Sequence, residues 1–224
     1  MKRILFLFSL ILIISFSETT DPSKILIIYF SKTGNTEKFA NYITEISNEI
    51  SAFKIEPATS YPEDYNTMLT IAREEQSSNA RPEIKNALNN VNDYEIILLG
   101  YPIWYSHLPN IVINQLEKLD LNGKTIYPFN THGSSGTGSS INDIKNYANK
   151  AIVKDGFPIS SNEINNKNSS INKIKNWIVK IIGGDSISEE DSENEEKSEN
   201  ENPDNSIFIK INLYLFYFIS ILLL

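Results

Sequence analysis

Three short stretches of this chain hold the side chains best suited to chemistry. Ser31-Lys32-Thr33-Gly34-Asn35-Thr36 supplies three hydroxyls and a lone glycine just ahead of residues with helical spacing. Glycine lets a backbone approach a ligand closely, and a helix N-terminus offers free amides, so this stretch suits an anion such as a phosphate. The same residue types also build ordinary turns and N-caps. The spacing is not that of a Walker loop, nor of a G-x-G-x-x-G turn, because Gly34 stands alone. Tyr101-Pro102-Ile103-Trp104-Tyr105 places three aromatics where a loop is expected to face solvent. Aromatic faces at a pocket mouth stack on a planar ring for about 0.5–1.5 kcal/mol per well-placed pair; packing beneath the loop is the alternative for any one of them. Thr131-His132-Gly133-Ser134-Ser135-Gly136-Thr137-Gly138 offers backbone amides to the polar edge of a heterocycle, although a plain glycine loop has the same composition. His132 suits a bond to a ligand's reactive edge or to local backbone, whereas His107, ahead of Leu108-Pro109 at a helix start, reads as structural. Two histidines and no cysteine leave neither a multi-histidine nor a cysteine metal site, and no thiolate nucleophile. No Ser-His-Asp/Glu arrangement can be placed, so no catalytic side chain is assigned.

The elements that must position these stretches follow from hydrophobic patterning. Residues 25–30 form a continuous apolar run, as in a strand covered on both faces. Phe39, Ile43, Ile46 and Ile50 then recur with helical period. Residues 53–57 alternate and meet Pro57, which suits an edge strand. Residues 65–76 and 82–91 read as helices, with Pro82 at a first-turn position. Residues 96–100 form a second fully apolar strand, followed by a helical stripe of Val112, Leu116 and Leu119. Residues 124–129 give a third core strand, Ile141, Ile144 and Ala148 a helix, and residues 151–153 a short strand. Ile171, Ile174, Ile178 and Ile181 mark the closing helix. Strand and helix alternate about five times, which predicts an α/β fold with an open, doubly wound, five-stranded parallel sheet. An edge position for the second strand gives the order 2-1-3-4-5. Ligands of such sheets bind beyond the carboxyl ends of the strands near the switch point. That rule selects loops 31–36, 101–109 and 130–139, the stretches already singled out.

Here the residues carry a resemblance. Tyr29-Phe30-Ser31-Lys32-Thr33-Gly34-Asn35-Thr36 resembles the phosphate signature of the flavodoxin family. Gly100-Tyr101-Pro102-Ile103-Trp104-Tyr105 and Pro128-Phe129-Asn130-Thr131-His132-Gly133-Ser134-Ser135-Gly136 resemble its two later loops, in the right order. The resemblance covers about residues 24–182. It implies a flavodoxin-like fold and non-covalently bound FMN. Ser31, Lys32, Thr33, Gly34, Asn35 and Thr36 would surround the phosphate. Tyr101, Pro102, Ile103 and Trp104 would border the isoalloxazine on one side, with Thr131, His132, Gly133 and Gly136 on the other. Three functions are compatible: a flavodoxin-type electron carrier, an FMN-dependent NAD(P)H:quinone-type oxidoreductase, or a surface binding module without redox activity. The implied partners are redox donor and acceptor proteins or a small quinone-like acceptor.

The net charge of −8 over 224 residues argues against a nucleic-acid partner. Residues 185–204 carry ten acids and one base, while residues 18–184 carry 18 acids and 16 bases, a net of −2. Residues 185–206 therefore read as a disordered acidic stalk beyond a flavodoxin-like domain at 18–184. Lys2-Arg3, the apolar run 4–14 and Ser15-Phe16-Ser17 predict a signal peptide over 1–17. Residues 207–224 form an apolar tail that reads as a GPI-anchor signal or a retained membrane anchor. The expected destination is the secretory pathway, with the domain extracellular or at the cell surface and membrane-anchored. The sequon Asn168-Ser169-Ser170 agrees with that route. These ends are not typical of the usually cytosolic flavodoxin family.

Overall fold

Every residue of the first strand, β1 (Ile25–Tyr29), is buried, as its unbroken apolar sequence requires. The structure, a computed structural model, describes residues 20–183. The expected signal peptide, acidic stalk and apolar tail lie outside the described residues. The elements that follow are α1 (Asn35–Ile46), β2 (Ser51–Lys54), α2 (Tyr65–Ser77), β3 (Ile96–Pro102) and α3 (Asn110–Glu117). After them come β4 (Thr125–His132), α4 (Ser140–Tyr147), β5 (Ile152–Val153), β6 (Phe157–Ser160) and α5 (Lys167–Gly183).

The sheet runs β2-β1-β3-β4-β5, all parallel, in the predicted order. The fifth position is shared: β5 pairs with the start of β4 and β6 with its end. The sequence pattern shows only the first of these pieces, because Pro158 interrupts the second. Proline is tolerated there because the strand lies at the sheet edge. Alternate strand residues feed two core clusters. Leu26, Ile28, Ile97 and Leu99 pack against α2, α3 and α4 through Met68, Ala72, Ile111, Val112 and Ile144. Ile25, Ile27, Leu98 and Phe129 pack against α1 and α5 through Phe39, Ile43, Ile174 and Ile178. At Gly100 a Cβ would stand 2.3 Å from the Phe129 ring, so only glycine fits where β3 passes that side chain.

One expected helix is absent. Residues 82–91 hold an isolated bridge and turns. Their backbone is committed elsewhere: Ile84 bridges Pro57, and Lys85 N–H donates to the Glu56 carbonyl. The Asn86 side chain holds Glu56 N–H and the Lys54 carbonyl, and that of Gln115 holds both backbone groups of Leu88. Ile84 and Val91 are buried as their spacing suggested, but from an extended strap rather than a helix. Several boundaries also shift: β3 runs on to Pro102 and β4 to His132, so the expected loops 101–109 and 130–139 begin inside strands. Ile50 lies beyond the end of α1, and β2 occupies residues 51–54 rather than 53–57.

Candidate ligand-binding site

All three singled-out loops lie at the carboxyl end of the parallel strands. Loop 31–36 joins β1 to α1. Gly34 takes a positive φ of 86° as the N-cap of α1 and supplies no side-chain cap, so the first amides of the helix are left for another acceptor. The Ser31 hydroxyl is buried with no hydrogen-bond partner among the described residues. Thr33 is exposed, and Asn35 begins the helix. Lys32 pairs at 2.9 Å with the exposed carboxylate of Glu63, a surface ion pair of small weight. Thr36 is buried, and its hydroxyl lies 2.8 Å from that of Thr131, tying this loop to the end of β4.

Loop 101–109 differs from expectation. Two of its three aromatics are buried: Tyr101 wholly, and Trp104 to 7 % exposure. The Tyr101 hydroxyl meets Ser140 Oγ at 3.0 Å, and burial pushes its pKa above the ordinary phenol range. Trp104 packs edge-on against Phe30 and Tyr61, with ring centroids 5.5 and 5.0 Å away. The cause is the β2–α2 connection, which brings Tyr61 over the loop. Tyr61 donates to Glu75 at 3.1 Å, and burial raises the pKa of both groups. Only Tyr105 is exposed, with the Arg73 guanidinium 5.2 Å from its ring centroid. Pro102 and Ile103 are half-buried. The chain turns through positive φ at Tyr105 and Ser106, a strained conformation for non-glycine residues. Clamps hold it there. Gln76 donates to the Trp104 carbonyl at 2.7 Å, and Asp143 accepts from Leu108 N–H and lies 3.0 Å from His107 Nδ1.

In loop 130–139, the His132 carbonyl accepts from both N–H and Oγ of Ser161, while its Nδ1 is buried and unpaired. A Cβ at Gly133 or Gly136 would meet nothing within 4 Å, so both glycines border open space, as Gly34 does. Gly138 is different, since a Cβ there would stand 2.4 Å from the Ser106 carbonyl oxygen. That close approach, with a Ser139 N–H bond to the same carbonyl at 2.6 Å, joins the second loop to the third.

Sequence reasoning missed Asn130 and the wall formed by Tyr61, Glu75 and Gln76. Asn130 is fully buried, and neither atom of its amide has a hydrogen-bond partner among the described residues. Its signal was an amide directly after the apolar run 126–129. Tyr61 and Glu75 gave no comparable signal, because their meeting depends on how residues 55–64 fold back.

Among the described residues, the buried side-chain atoms without partners are Ser31 Oγ, both Asn130 amide atoms and His132 Nδ1. All four belong to this end of the sheet. Buried polar groups are nearly always paired, so such a cluster marks a place where a hydrogen-bonding ligand belongs. The donors suit an anion at the first loop and a polar ring edge at the third. No group of acids and histidines among the described residues could hold a metal ion. Two surface clefts are present, the second of them bordered by His107 and Leu108 of the second loop. One of about 440 Å³ runs from the end of α3 to residues 147–150, and one of about 260 Å³ lies beside His107 and Asp143.

Comparison with known proteins places this geometry. The profile of the family described as flavodoxin matches residues 24–181. A crystal structure from Bacteroides eggerthii, provisionally described as a flavoprotein, is 30% identical with a TM-score of 0.61, covering 72% of this chain and 98% of that one. A similarly described protein from Bacteroides uniformis is 28% identical with a TM-score of 0.61, covering 69% and 97%. A Lactobacillus acidophilus flavoprotein, solved in complex with FMN, is 21% identical with a TM-score of 0.51, covering 64% and 97%, and shares the fold. No curated protein matches the chain.

Proposed function

The chain belongs to the flavodoxin family, and from that premise we propose that it is an FMN-binding redox protein that transfers electrons between partners. The observation that carries this reading is the cluster of unpaired buried atoms, Ser31 Oγ, the Asn130 amide and His132 Nδ1, where the three loops meet. The residues present fit the group. Ser31, Thr33 and the uncapped amides of α1 offer donors to a phosphate without a buried cation. Open space above Gly34, Gly133 and Gly136 leaves room for a ligand against the backbone. Bound FMN supplies the one- or two-electron chemistry, so no side chain need act as nucleophile or general base. The protein's part is to bind, orient and exclude water. Thr36 and Thr131 fix the first loop against the third. Trp104, braced by Phe30 and Tyr61, gives the second loop a rigid apolar wall. His132 Nδ1 offers a hydrogen bond near the glycines.

The expected signal peptide and apolar tail support a cell-surface, membrane-anchored location, with protein or quinone-like redox partners. The decisive experiment is titration of the purified protein with FMN, followed by absorption and fluorescence. Uptake with a shifted visible band supports the reading, and failure to take up FMN overturns it. Photoreduction that proceeds through a persistent one-electron stage identifies a carrier. Rapid bleaching by NADPH with turnover on a quinone identifies a reductase.

A further inference from the structure

Asn130 lies two residues before His132 in β4, so the two side chains leave the same face of the strand. Its register partner on β3 is Tyr101, whose hydroxyl meets Ser140 Oγ. Ser140 Oγ in turn donates to the Thr137 carbonyl at 2.6 Å. That carbonyl can only accept, so the Ser140 hydrogen is committed to it and Tyr101 must be the donor to Ser140. The lone pairs of the Tyr101 oxygen remain open. Asn130 sits in register beside Tyr101, and neither atom of its amide has a hydrogen-bond partner among the described residues. A buried polar chain therefore runs from Thr137, in the glycine loop, through Ser140 and Tyr101, and stops one step short of Asn130.

An unpaired amide at a fully buried strand position costs the ligand-free protein stability. Leucine has the same branching at Cγ and no polar atom to leave unpaired. The amide is thus suited to an arrangement in which it is paired. We propose that Asn130 is a positioning residue for the flavin: with ligand held, its amide completes the Tyr101–Ser140–Thr137 chain and fixes loop 133–138 in its binding arrangement. This rests on the FMN reading and adds to it a residue that acts through the loop.

The test uses the full chain as wild type, Asn130→Leu and Asn130→Ala, measuring the ligand-free melting midpoint, FMN affinity, FMN release rate and the bound visible spectrum. Asn130→Leu is expected to keep or raise the ligand-free midpoint while weakening FMN at least tenfold, mainly through faster release, with a changed visible band. Asn130→Ala, which cannot overpack, should weaken FMN and change the band in the same way. Unchanged affinity and spectrum in both variants overturn the proposal and leave the FMN reading standing. A loss of affinity that only tracks a lowered ligand-free midpoint also overturns it, since that is a structural role. Wild type that takes up no FMN refutes the FMN reading itself and the positioning role with it.

Discussion

A buried hydroxyl with nothing to bond is a cost to a folded chain, and at Ser31 that cost sits in the first loop of the candidate site. Removing it should separate stability from binding. Ser31→Ala has no hydrogen bond to lose in the ligand-free protein, so its unfolding free energy should stay within about 0.5 kcal/mol. Its affinity for FMN should fall by about 1.5–3 kcal/mol, the worth of a hydrogen bond to a charged group. Calorimetric titration beside urea unfolding reads both. Thr36→Val should do the reverse, because its hydroxyl already bonds Thr131: about 1 kcal/mol of stability lost, with a smaller effect on ligand. Glu75 adds a pH effect. Burial raises its pKa, with the Tyr61 hydrogen bond opposing, so the fold prefers the protonated acid. The stabilisation is full below the unfolded value of 4.5 and is lost as pH rises through the higher folded value. Glu75→Gln keeps an acceptor for Tyr61 and carries no charge. Its melting midpoint should exceed that of wild type at about pH 7 and match it at about pH 4. At this scale the sequence put all three stretches at the carboxyl ends of the strands, since Ser, Gly and aromatic residues after apolar runs are visible in one dimension, but it began the second and third loops two to three residues too early. It could not show that Tyr101 and Trp104 are buried, because Trp104 packs on Tyr61, some forty residues earlier, and Tyr101 meets Ser140, some forty residues later.

Among the elements, the strap at residues 78–91 best shows what a local pattern leaves out. Its apolar spacing imitates a helix, but side chains of α3 claim its backbone. Asn110 holds the carbonyl of Ala80 as well as that of Glu75 in α2, Asn114 that of Pro82, and Gln115 both groups of Leu88. Arg81 pairs with Glu117 through two nitrogens. Gln115 is fully buried, so truncating it leaves two backbone groups of Leu88 unpaired. Gln115→Ala should therefore cost about 2–4 kcal/mol, with FMN affinity unchanged because both backbone groups it frees belong to Leu88, outside the three loops. A shift of the urea midpoint at constant slope checks the first part. The parallel strands were legible because burial on both faces demands an unbroken apolar run. β6 was not, because Pro158 breaks that run and only the partner strand β4 explains why it pairs.

For the molecule as a whole, the two ends of the described chain meet. Thr20 N–H donates to the Ile182 carbonyl at 2.8 Å, where β1 is about to begin and α5 is about to end. Parallel strands put that point at their amino end, whereas the candidate site lies at their carboxyl end. Thr20 and Ile182 thus lie on the side of the sheet away from the three loops. Within residues 20–183 every sheet position is filled and both core clusters are covered by helices. The charge agrees with this division, since residues 185–204 hold a net −9 and residues 18–184 only −2. A chain cut to residues 20–183 should therefore keep the melting midpoint and FMN affinity of the full chain. The comparison is sensitive, because a loss of 1 kcal/mol moves the midpoint of a domain this size by about 2–4 °C. Added salt should also affect flavin binding equally in both forms, since the amides and hydroxyls proposed to take the phosphate all lie within residues 20–183. A lower midpoint in the cut chain, or a salt dependence present only in the full one, would show that the acidic segment takes part in the domain's fold or its site.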